Sequence, residues 1–429
     1  MQVPRIVVVG GGAGGMPLVT ALGKRLGKRG KAGITLVDSS LTHIWKPRYH
    51  EVATGAIDAN LDAIDYRAHA RANHYTFQQG RLQALDRERK TICLAALREN
   101  GKGPEILPER EIAYDYLVLA MGSQGNDFNT PGVREHCLFL DSREQAERFQ
   151  QRFLNLSLTV DYYDRALRIA IVGGGATGVE LAAELHHAVN LLHGYGHAKL
   201  DRGKLEVTLV EAGQRILPVL NERIANSATR HLRDLGVQVA TGTVINAATE
   251  NSFITTAGQE IPGDMLVWAA GIKAPDCLAD FGLPVNRLNQ LVVNDQLLTA
   301  DQSVYAIGDC ASLAMGEHSF VPPRAQAALQ MAKYLGKSLP ARLEDKASKA
   351  FRYRDKGSLI SLSEYSSVGV LMGSLGRGGN LFIEGRLARL TYISLYRLHQ
   401  AALYGWPRTL LLLLAGRFNR LLRPRLKLH

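Results

Sequence analysis

The feature of this sequence that most restricts its fold is a short pattern that occurs twice. In each copy, an apolar segment leads into a glycine-rich turn, a helix-compatible stretch and a second apolar segment that ends in an acid. The first copy runs from Arg5 to Asp38 and the second from Arg168 to Glu211. This order predicts a strand–helix–strand unit of a parallel sheet. Because the copies begin 163 residues apart, far beyond the ~20–50-residue period of a solenoid, we expect two separate α/β domains.

The first glycine turn matches the spacing G-x-G-x-x-G. Its first glycine permits the tight turn, the second lets the backbone approach a pyrophosphate, and the third lets helix and strand pack closely. The start of the helix offers free N–H groups to phosphate oxygens, and the acid is placed to accept hydrogen bonds from ribose hydroxyls. We therefore predict a dinucleotide site made by Gly10, Gly12, Ala13, Gly14, Gly15 and Asp38. The alternative is a glycine turn that binds no ligand.

The second turn repeats this fingerprint, and a polar loop lengthens the distance to its acid. Glu211 follows Gly178 by 33 residues, against about 20 in the usual fingerprint. A carboxylate at this position repels a 2′-phosphate, so we expect NADH rather than NADPH, although Arg215 leaves some NADPH use open. The predicted contacts are Gly173, Gly175, Thr177, Gly178 and Glu211, with Ala270 and Gly271 at the end of a later apolar run.

A third strand–acid motif assigns the two sites. Ala306-Ile307-Gly308-Asp309 lies late in the chain, where its aspartate is placed to bond the ribityl or phosphate part of a flavin. An apolar run that ends at Gly122 predicts another buried strand and turn. Two dinucleotides, one held tightly and one exchanging, make a hydride relay. We therefore expect FAD at the first site, with Gly122, Gly308 and Asp309, and NADH as the substrate of the second.

Several motifs together carry a resemblance to a known family. They are His43-x-Trp45-Lys46-Pro47-x-x-His50-Glu51-Val52-Ala53-Thr54-Gly55, Gly178-Val179-Glu180-Leu181, Trp268-Ala269-Ala270-Gly271-Ile272-Lys273 and Pro322-Pro323-Arg324-Ala325-Gln326-Ala327-Ala328-Leu329-Gln330. With its paired fingerprints, the chain resembles the two-dinucleotide-binding-domain flavoproteins. Within that group it resembles, along essentially its whole length, the bacterial type II NADH dehydrogenases, which are single-chain NADH:quinone oxidoreductases that do not pump protons.

The resemblance implies roles for two side chains near the cofactors. In the family, the stretch that matches His43 to Gly55 passes beside the isoalloxazine, and Lys46 is the expected side-chain contact with FAD. Glu180, two residues after Gly178, matches a family glutamate near the nicotinamide and the flavin. From the residues alone, Glu180 also reads as an acid that favours the positive end of its helix.

The resemblance also implies a quinone site on a later helix. The family's Ala-Gln-x-Ala-x-Gln motif matches Ala325, Gln326, Ala328 and Gln330. The two glutamines are four residues apart and share one helix face, and an amide offers donors and an acceptor to quinone carbonyls. If the start of this helix, at Ala325 and Gln326, points at the flavin, its dipole stabilises the reduced cofactor. The alternative is a buried helix with two ordinary glutamines.

The cysteines and histidines show no metal-binding or disulfide pattern. The cysteines lie far apart, with no C-x-x-C pair, so we expect structural thiols and no metal site. Cys137 and Cys310 are the one pair that a sulfide:quinone oxidoreductase would use, which keeps that enzyme as an alternative. A looser histidine cluster is expected to be solvated rather than metal-binding; it consists of His186, His187, His193 and His197.

The net charge of +11 is concentrated at the C-terminus. Residues 385–429 contain eight Arg, one Lys and no Asp or Glu, so the first 384 residues carry only +2. Leucines and aromatic residues alternate with these arginines, and Pro407 is expected to divide the segment into two helices. This pattern is typical of helices that lie in an anionic membrane interface, and a homodimer interface is the compatible alternative. No nucleic-acid recognition motif accompanies the charge.

The apolar segments predict a protein that lies on a membrane without crossing it. The longest strongly apolar run, Leu410–Ala415, is far shorter than the ~20 residues of a spanning helix. No signal peptide is expected, because Met1 is followed directly by a strand. We therefore expect a peripheral protein on the cytoplasmic face of the cell inner membrane.

Together these patterns predict an α/β fold with two Rossmann-like domains, the second inserted in the first. We expect an FAD domain at 1–120 and 270–345, an NADH domain at 121–269, and a C-terminal α+β membrane-surface region at 346–429. Hydride passes from NADH to FAD, and two electrons then pass to a membrane quinone, with catalytic roles for Glu180, Gln326 and Gln330. A soluble NADH-dependent reductase of an electron-carrier protein is a further alternative.

Three local expectations concern the last third of the chain. Pro322-Pro323 should open the glutamine-bearing helix, because proline is favoured in a first turn, and that helix should run to about Leu335. Residues 336–350 read as a polar linker, and strands are expected within 358–373.

Overall fold

The computed structural model describes residues 3–317, 319–362, 367–372, 380–422 and 426–427. Within these ranges the α-helices are α1 (Gly15–Arg25), α2 (Tyr49–Thr54), α3 (Ala59–Asp62), α4 (Tyr66–Ala72), α5 (Val133–His136), α6 (Arg143–Tyr163), α7 (Ala176–Gly194), α8 (Glu222–Leu235), α9 (Ala325–Arg342), α10 (Gly385–Tyr404) and α11 (Trp406–Leu422).

The strands up to the second fingerprint are β1 (Arg5–Val9), β2 (Gly33–Asp38), β3 (Thr42–His43), β4 (Ile64–Asp65), β5 (Thr76–Gln79), β6 (Leu82–Asp86), β7 (Thr91–Leu94), β8 (Leu97–Arg98), β9 (Glu105–Leu107), β10 (Arg110–Ala113), β11 (Tyr116–Leu119), β12 (Gln124–Gly125) and β13 (Leu167–Val172). The later strands are β14 (Leu205–Glu211), β15 (Gln238–Thr241), β16 (Ile245–Ala248), β17 (Ser252–Thr255), β18 (Glu260–Pro262), β19 (Met265–Trp268), β20 (Ile272–Lys273), β21 (Leu291–Val293), β22 (Val304–Ala306), β23 (Ala311–Leu313), β24 (Gly357–Ser361), β25 (Ser367–Met372) and β26 (Asn380–Glu384).

The chain divides into two compact units, and each contains one copy of the repeated pattern. Unit 1 comprises Met1–Trp45, Ala63–Gln124 and Ile272–Asp355; unit 2 comprises Lys46–Asp62, Gly125–Gly271 and Lys356–His429. The functional domain boundaries inferred from the sequence remain predictions.

The core of unit 1 is a parallel sheet of five strands in the order β22-β11-β1-β2-β5. Val7 in the central strand β1 lies opposite Leu117 of β11 and Thr35 of β2. Helices α1 and α9 pack against each other in the same unit. Strands buried on both faces need apolar side chains in succession, which explains the unbroken Ile-Val-Val-Val run that follows Arg5.

The core of unit 2 is a second parallel sheet, with four strands in the order β15-β14-β13-β19. Ile169 in β13 lies opposite Val207 of β14 and Met265 of β19. The three-stranded antiparallel sheet β16-β17-β18 belongs to the same unit. Two parallel sheets, each entered through a strand, a glycine turn and a helix, confirm the predicted α/β class.

The C-terminal part of unit 2 combines an antiparallel sheet, β24-β25-β26, with helices α10 and α11. The two helices are separated as predicted, and the break lies at Gly405, whose φ of +80° favours glycine. Pro407 is the second residue of α11. None of the described helices is both long enough and apolar enough to span a bilayer. Residues 423–425 and 428–429, at the end of the basic segment, lie outside the described residues.

The expected boundaries of the glutamine-bearing helix were wrong at both ends. Helix α9 begins at Ala325 after the N-cap Arg324, so Pro322 and Pro323 precede it rather than form its first turn. The helix also continues to Arg342, through residues expected to form a linker. Its buried side includes Leu335 and Leu339, and this apolar packing outweighs the low helix propensity of Gly336 and Pro340.

Candidate functional site

The first glycine turn joins β1 to α1 in a tightly packed conformation. Gly10 has a φ of +102°, which glycine adopts without strain, and its N–H donates to the Val37 carbonyl at 2.8 Å. A Cβ on Gly15 would collide with the Gly10 carbonyl oxygen. The first and third fingerprint glycines are therefore required by the backbone itself, as the sequence predicted.

The acid at the end of β2 holds this turn. One Asp38 carboxylate oxygen accepts a hydrogen bond from the Gly11 N–H at 2.6 Å, and the other accepts one from the Ser40 N–H at 2.8 Å. A carboxylate that accepts backbone N–H bonds stays in one orientation. Asp38 is thus fixed beside the turn where a ribose is predicted to bind.

Elements from the end of unit 1 pack against the same turn. A Cβ on Gly14 would lie 3.2 Å from the Ile307 side chain and 3.4 Å from the Ala328 Cβ, and one on Gly308 would lie 3.2 Å from the same Ala328 atom. The Gly308 N–H also approaches the Met331 sulfur at 3.2 Å. The structure therefore brings the predicted glycine turn, Gly308 and the first half of α9 together.

Asp309 is held in the 3-10 turn Gly308–Cys310 by polar neighbours. Its carboxylate accepts a hydrogen bond from the Ser123 hydroxyl at 2.7 Å, and its carbonyl accepts one from the Gln290 amide at 2.8 Å. Ser123 directly follows the predicted site residue Gly122. Sequence reasoning named Asp309 and Gly122 but missed Ser123 and Gln290, because no motif links such distant positions.

The space around the first turn fits FAD. A Cβ on Gly12 or on Gly122 would meet no atom within 4 Å, whereas Gly10 and Gly15 are closely packed. Helix α1 begins at Gly15, directly after Ala13 and the N-cap Gly14, and its described first turn contains no acidic residue. The Gly15 N–H and the positive dipole end of the helix suit a diphosphate. The donors and the open space therefore match those that a dinucleotide needs.

The second turn repeats the same construction in unit 2. Gly173 has a φ of +116°, and a Cβ on Gly178 would collide with the Gly173 carbonyl oxygen. Glu211 accepts hydrogen bonds from the Gly174 N–H and the Gly213 N–H, both at 2.7 Å. The longer distance to the acid does not change this arrangement, because the extra residues form a loop after α7.

The open side of the second turn carries the other predicted NADH contacts. A Cβ on Gly175 would meet no atom within 4 Å, and Thr177 is exposed in the first turn of α7. At the end of β19, Ala270 is half-buried and Gly271 is exposed with a φ of +65°. These residues belong to one unit, and the space beside Gly175 is left for a ligand.

Glu180 is a buried acid with an unexpected partner. It is only 7% exposed, which excludes an ordinary solvated acid at a helix start. Its carboxyl group accepts a hydrogen bond from the Ser361 N–H at 2.9 Å and lies 3.5 Å from His50 Nδ1. Burial is the main cause that raises the pKa of Glu180, and the charges of Glu51 and Glu184 add to it. Against the lowering effect of the Ser361 hydrogen bond, the pKa reaches about 8.

The imidazole beside Glu180 is neutral near pH 7. Burial lowers the pKa of His50, more than the Glu51 charge raises it. Glu51 is in turn paired with Arg48 at 2.5 Å. Burial by itself raises the pKa of Glu51, but the Arg48 charge outweighs this effect, so the pKa of Glu51 lies below its usual value. Glu180 and His50 therefore form an uncharged pair beside a charged one. The sequence contained His50 within the family motif, but its contact with Glu180 depends on the packing of α2 against α7.

The structure places Lys46 in unit 2, in the short 3-10 helix Lys46–Arg48. Its ammonium lies 3.4 Å from an Asp141 carboxylate oxygen. The other Asp141 oxygen accepts a hydrogen bond from the Gly125 N–H at 2.7 Å. Sequence reasoning missed Asp141 as the partner of Lys46, and the contact of Lys46 with FAD remains a prediction.

The two glutamines of α9 both bond to a segment that follows the helix. The Gln326 amide donates to an Asp355 carboxylate oxygen at 3.1 Å, and the Gln330 amide donates to the Arg354 carbonyl at 2.8 Å. The predicted proximity of the glutamines on one face is therefore observed. Their partners, Asp355 and Arg354, were not predicted, because no motif or spacing rule links these positions to α9.

The cysteines are free thiols in the described structure. Burial raises the pKa of Cys137 to about 12 and that of Cys310 to about 11, so neither is readily converted to a nucleophilic thiolate. The expectation of solvated histidines was wrong for His186 and His187, which are 1% and 8% exposed. Helix α7 is buried along much of its length, which places these two histidines inside the unit.

Comparison with known proteins agrees with this geometry. Residues 4–332 match the pyridine nucleotide-disulphide oxidoreductase family. The chain is 47% identical to a type II NADH:quinone oxidoreductase of Haemophilus influenzae over 444 aligned positions, which cover 99% of each chain.

Two solved structures share the fold at low sequence identity. One is NDH2 of Plasmodium falciparum in complex with NADH, with a TM-score of 0.79, 18% identity and coverage of 94% of this chain and 97% of that one. The other is the sulfide:quinone oxidoreductase of Aquifex aeolicus, with a TM-score of 0.71, 18% identity and coverage of 94% and 92%. Fold similarity alone does not separate these two activities, whereas the 47% identity does. The chain therefore belongs to the pyridine nucleotide-disulphide oxidoreductase family and, within it, to the type II NADH:quinone oxidoreductases.

Proposed function

We propose that this protein oxidises NADH and reduces a membrane quinone, without pumping protons. The observation that carries this proposal is the pair of acid-held glycine turns, one in each unit, in a chain with 47% identity to a type II NADH:quinone oxidoreductase. When bound, FAD accepts a hydride and passes on two electrons. The protein residues bind, orient and polarise the reactants.

Unit 1 supplies the groups for FAD. The Gly12 backbone and the start of α1 suit the diphosphate, and Asp38 suits a ribose. Asp309, held by Ser123 at 2.7 Å, suits the ribityl chain or phosphate, with Gly122 and Gly308 beside it. The start of α9 at Ala325 offers N–H groups and a positive dipole end to the flavin ring.

Unit 2 supplies the groups for NADH. The open space beside Gly175 and the exposed Thr177 suit the diphosphate of NADH, and Glu211 suits the adenosine ribose. Because both Glu211 oxygens accept backbone N–H bonds at 2.7 Å, its negative charge is held in place against a 2′-phosphate. We therefore propose a preference for NADH over NADPH.

Glu180 is proposed to orient the nicotinamide as a neutral carboxyl group. With its pKa raised to about 8 by burial, it carries a proton at pH 7 and can both donate and accept hydrogen bonds. His50, at 3.5 Å, keeps the carboxyl group in position.

The quinone is proposed to react near Gln326 and Gln330, on the first half of α9. The glutamine amides supply polar groups without a competing charge, and the alanines between them, Ala327 and Ala328, are small. Gly308 packs against Ala328 of the same helix segment. The first half of α9 therefore carries the two glutamines and also contacts the predicted FAD site of unit 1.

The C-terminal helices are proposed to dock on an anionic membrane surface. Trp406, Leu411 and Phe418 are 64%, 65% and 64% exposed, and the exposed Arg408 and Arg417 lie among them. Exposed apolar side chains with basic neighbours suit the boundary between acyl chains and anionic headgroups. The tyrosines of α10 contribute less to this surface than predicted, since Tyr396 lies partly buried under Arg48 at 4.5 Å.

We place this surface on the cytoplasmic face of the cell inner membrane, where both NADH and the quinone are accessible. A homodimer through the same helices remains part of the proposal. The dimer is tested by measuring the mass of the protein in detergent. The orientation is tested by measuring whether NADH reaches the protein in inverted membrane vesicles. A monomer in all conditions would remove the dimer, and NADH oxidation confined to right-side-out vesicles would reverse the orientation.

The experiment that tests the proposed function is an anaerobic titration of the purified flavoprotein with NADH. We expect bleaching of the oxidised flavin with one equivalent of NADH and full recovery of the absorbance when a short-chain quinone is added. Sulfide should leave the flavin oxidised. Bleaching by sulfide, or failure of quinone to restore the spectrum, would contradict the proposal.

Membrane docking is tested by sedimentation with lipid vesicles. Leu411→Glu and Phe418→Glu should abolish binding to vesicles that contain anionic lipid, and high salt should weaken binding of the unchanged protein. The matched control is Leu158→Glu on α6, where a leucine is 59% exposed. Equal binding of all three variants would exclude these helices as the docking surface.

A further inference from the structure

The segment of residues 351–355 lies along one face of α9. Phe351 packs its ring against Tyr334, with ring centroids 5.6 Å apart, and its N–H donates to the Asp295 carbonyl at 2.7 Å. Arg354 bonds to Gln330 and Asp355 bonds to Gln326. The helix residues 326, 330 and 334 are spaced by four and therefore share one face, so the segment follows the helix backwards towards its start.

Gln330 binds this segment with both ends of its amide. Its nitrogen donates to the Arg354 carbonyl at 2.8 Å, and its oxygen accepts from the Arg354 N–H at 3.1 Å. This pairing uses the backbone donor and the backbone acceptor of one residue, as a neighbouring strand would. Gln330 thereby sets the position of the residue that follows Arg354.

That next residue, Asp355, bonds to two side chains at the start of α9. One carboxylate oxygen accepts from the Gln326 amide at 3.1 Å, and the other accepts from the Arg324 guanidinium at 3.2 Å. Arg324 is the N-cap of α9 and makes no side-chain capping bond, and the described first turn of α9 contains no acidic residue. Asp355 therefore places a negative charge beside a helix start that its own sequence leaves without one.

We propose that Asp355 is a positioning residue for quinone reduction. It orients the Gln326 amide and restrains Arg324, and it is itself held in place by the contact between Gln330 and Arg354. This proposal rests on the proposed function, in which the quinone reacts near Gln326. It also gives Gln330 a defined role, which is to hold the segment that carries Asp355.

The chemical basis is the difference between a carboxylate and an amide. A carboxylate only accepts hydrogen bonds, so Asp355 selects the NH₂ end of the Gln326 amide and turns its oxygen the other way. An asparagine at position 355 offers both a donor and an acceptor and does not select one orientation. It also removes the carboxylate charge that Asp355 places beside Arg324 at the start of the helix.

The test compares Asp355→Asn with Asp345→Asn, in which an exposed aspartate of the same connecting region is replaced. Asp345 has a φ of +53°, a conformation that asparagine tolerates well. With Asp355→Asn we expect the KM for a short-chain quinone to rise about tenfold, which corresponds to loss of a charge-assisted hydrogen bond. The stopped-flow rate of flavin reduction by NADH should stay within twofold of the unchanged protein.

The reduction potential of the bound flavin gives a second readout. Removing the Asp355 charge leaves Arg324 positive at the start of α9, so the potential should become more positive in Asp355→Asn and stay unchanged in Asp345→Asn. Asp355→Glu, which restores the carboxylate, should recover most of the quinone KM. If Asp355→Asn is isolated without FAD, the test of the proposal rests on Asp355→Glu alone. For this variant we expect a quinone KM raised no more than about threefold.

Proteolysis separates positioning from simple structural support. Trypsin cleaves after arginine, and Arg352 and Arg354 lie in the segment. Gln330→Ala should speed cleavage there and raise the quinone KM together, whereas Asp355→Asn should raise the KM with little change in cleavage. Unchanged quinone kinetics in Asp355→Asn, relative to Asp345→Asn, would overturn the proposal. If the unchanged protein fails to reduce quinone, the proposed function is wrong and this inference with it.

Discussion

The two glycine turns are built alike but have different surroundings. In each, the acid at the end of the second strand accepts a hydrogen bond from the N–H of the residue after the first glycine, at 2.6 Å for Asp38 and Gly11 and 2.7 Å for Glu211 and Gly174. In each, the third glycine packs against the carbonyl of the first. Local sequence therefore produces the same turn in both units.

The difference lies in what packs against the middle of each turn. In unit 1, Gly14 packs against Ile307 and against Ala328 of α9, both contributed by the end of the unit. In unit 2, the residue equivalent to Gly14 is Thr177, which is exposed. The second glycine, Gly12 or Gly175, faces open space in both turns. The same fingerprint is thus partly covered in one unit and accessible in the other, which suits a resident cofactor and an exchanging substrate respectively.

The largest expected effect comes from filling the closest glycine contact in each turn. Gly15→Ala pushes a methyl group into the Gly10 carbonyl and should yield protein without bound FAD, measured by flavin absorbance per chain. Gly178→Ala makes the same collision with Gly173 and should retain FAD while raising the NADH KM more than about tenfold. The control is Gly33→Ala, because a Cβ there meets no atom within 4 Å. Equal FAD loss in both variants would remove the distinction between the turns.

The next effect comes from the two acids. Asp38→Asn removes the negative charge and leaves one acceptor oxygen for the two N–H groups of Gly11 and Ser40. FAD retention should weaken about tenfold, measured as the fluorescence of flavin released on dilution. Glu211→Gln should raise the NADH KM by a similar factor and leave FAD retention unchanged. It should also raise the ratio of NADPH to NADH activity, because the charge that repels a 2′-phosphate is gone. A constant ratio would exclude Glu211 as the source of this selectivity.

A smaller effect, on stability, comes from the buried acid of unit 2. Burial holds the pKa of Glu180 at about 8 in the folded protein, above the ~4.3 of an unfolded glutamate. Between these values, the folded state keeps a proton that the unfolded state has lost, so the free energy of unfolding falls as pH rises. Relative to Glu180→Gln, the Tm of the unchanged protein should therefore fall by several degrees between about pH 6.5 and about pH 8.5.

The pH range of that measurement avoids the neighbouring histidine. Burial lowers the pKa of His50 below its usual 6.5, so above about pH 7.5 His50 is neutral in both states and contributes no slope. Below that pH, its contribution is common to the unchanged protein and Glu180→Gln and cancels in the comparison. Glu250→Gln, at an exposed position, is the matched control and should follow the unchanged protein. Parallel Tm curves for Glu180→Gln and the unchanged protein would show that Glu180 has an ordinary pKa.

The smallest effect is expected from the buried thiols, one in each unit. Cys310 lies in the 3-10 turn beside the first site, with its sulfur 3.3 Å from the Ile307 carbonyl, and Cys137 packs in the core of unit 2 with Phe139 and Trp268. Cys310→Ala and Cys137→Ala should each leave quinone turnover within about twofold and lower stability by about 1 kcal/mol. Loss of turnover in either variant would favour thiol chemistry and the sulfide:quinone alternative.

The sequence alone determined the α/β class and most of the two glycine turns. Glycines at fixed spacing, an apolar strand before them and an acid after the second strand act within one supersecondary unit. Contacts inside such a unit depend on few residues, so the acid that ends each second strand, Asp38 or Glu211, lies beside its turn, although Glu211 exceeds the usual spacing. The late motif at Gly308 and Asp309 was also identified, because the strand before it has a clear apolar pattern.

The tertiary structure decided the polar partners that connect distant segments. His50 lies beside Glu180, although 130 positions separate them in the sequence, and Asp355 lies beside Gln326 across 29 positions. No spacing rule relates the residues of either pair. The pKa of Glu180 follows from burial against α2 and β24, which no local pattern encodes. Local spacing predicts groups that one element holds together, whereas the packing of several elements decides which polar groups meet and lose contact with water.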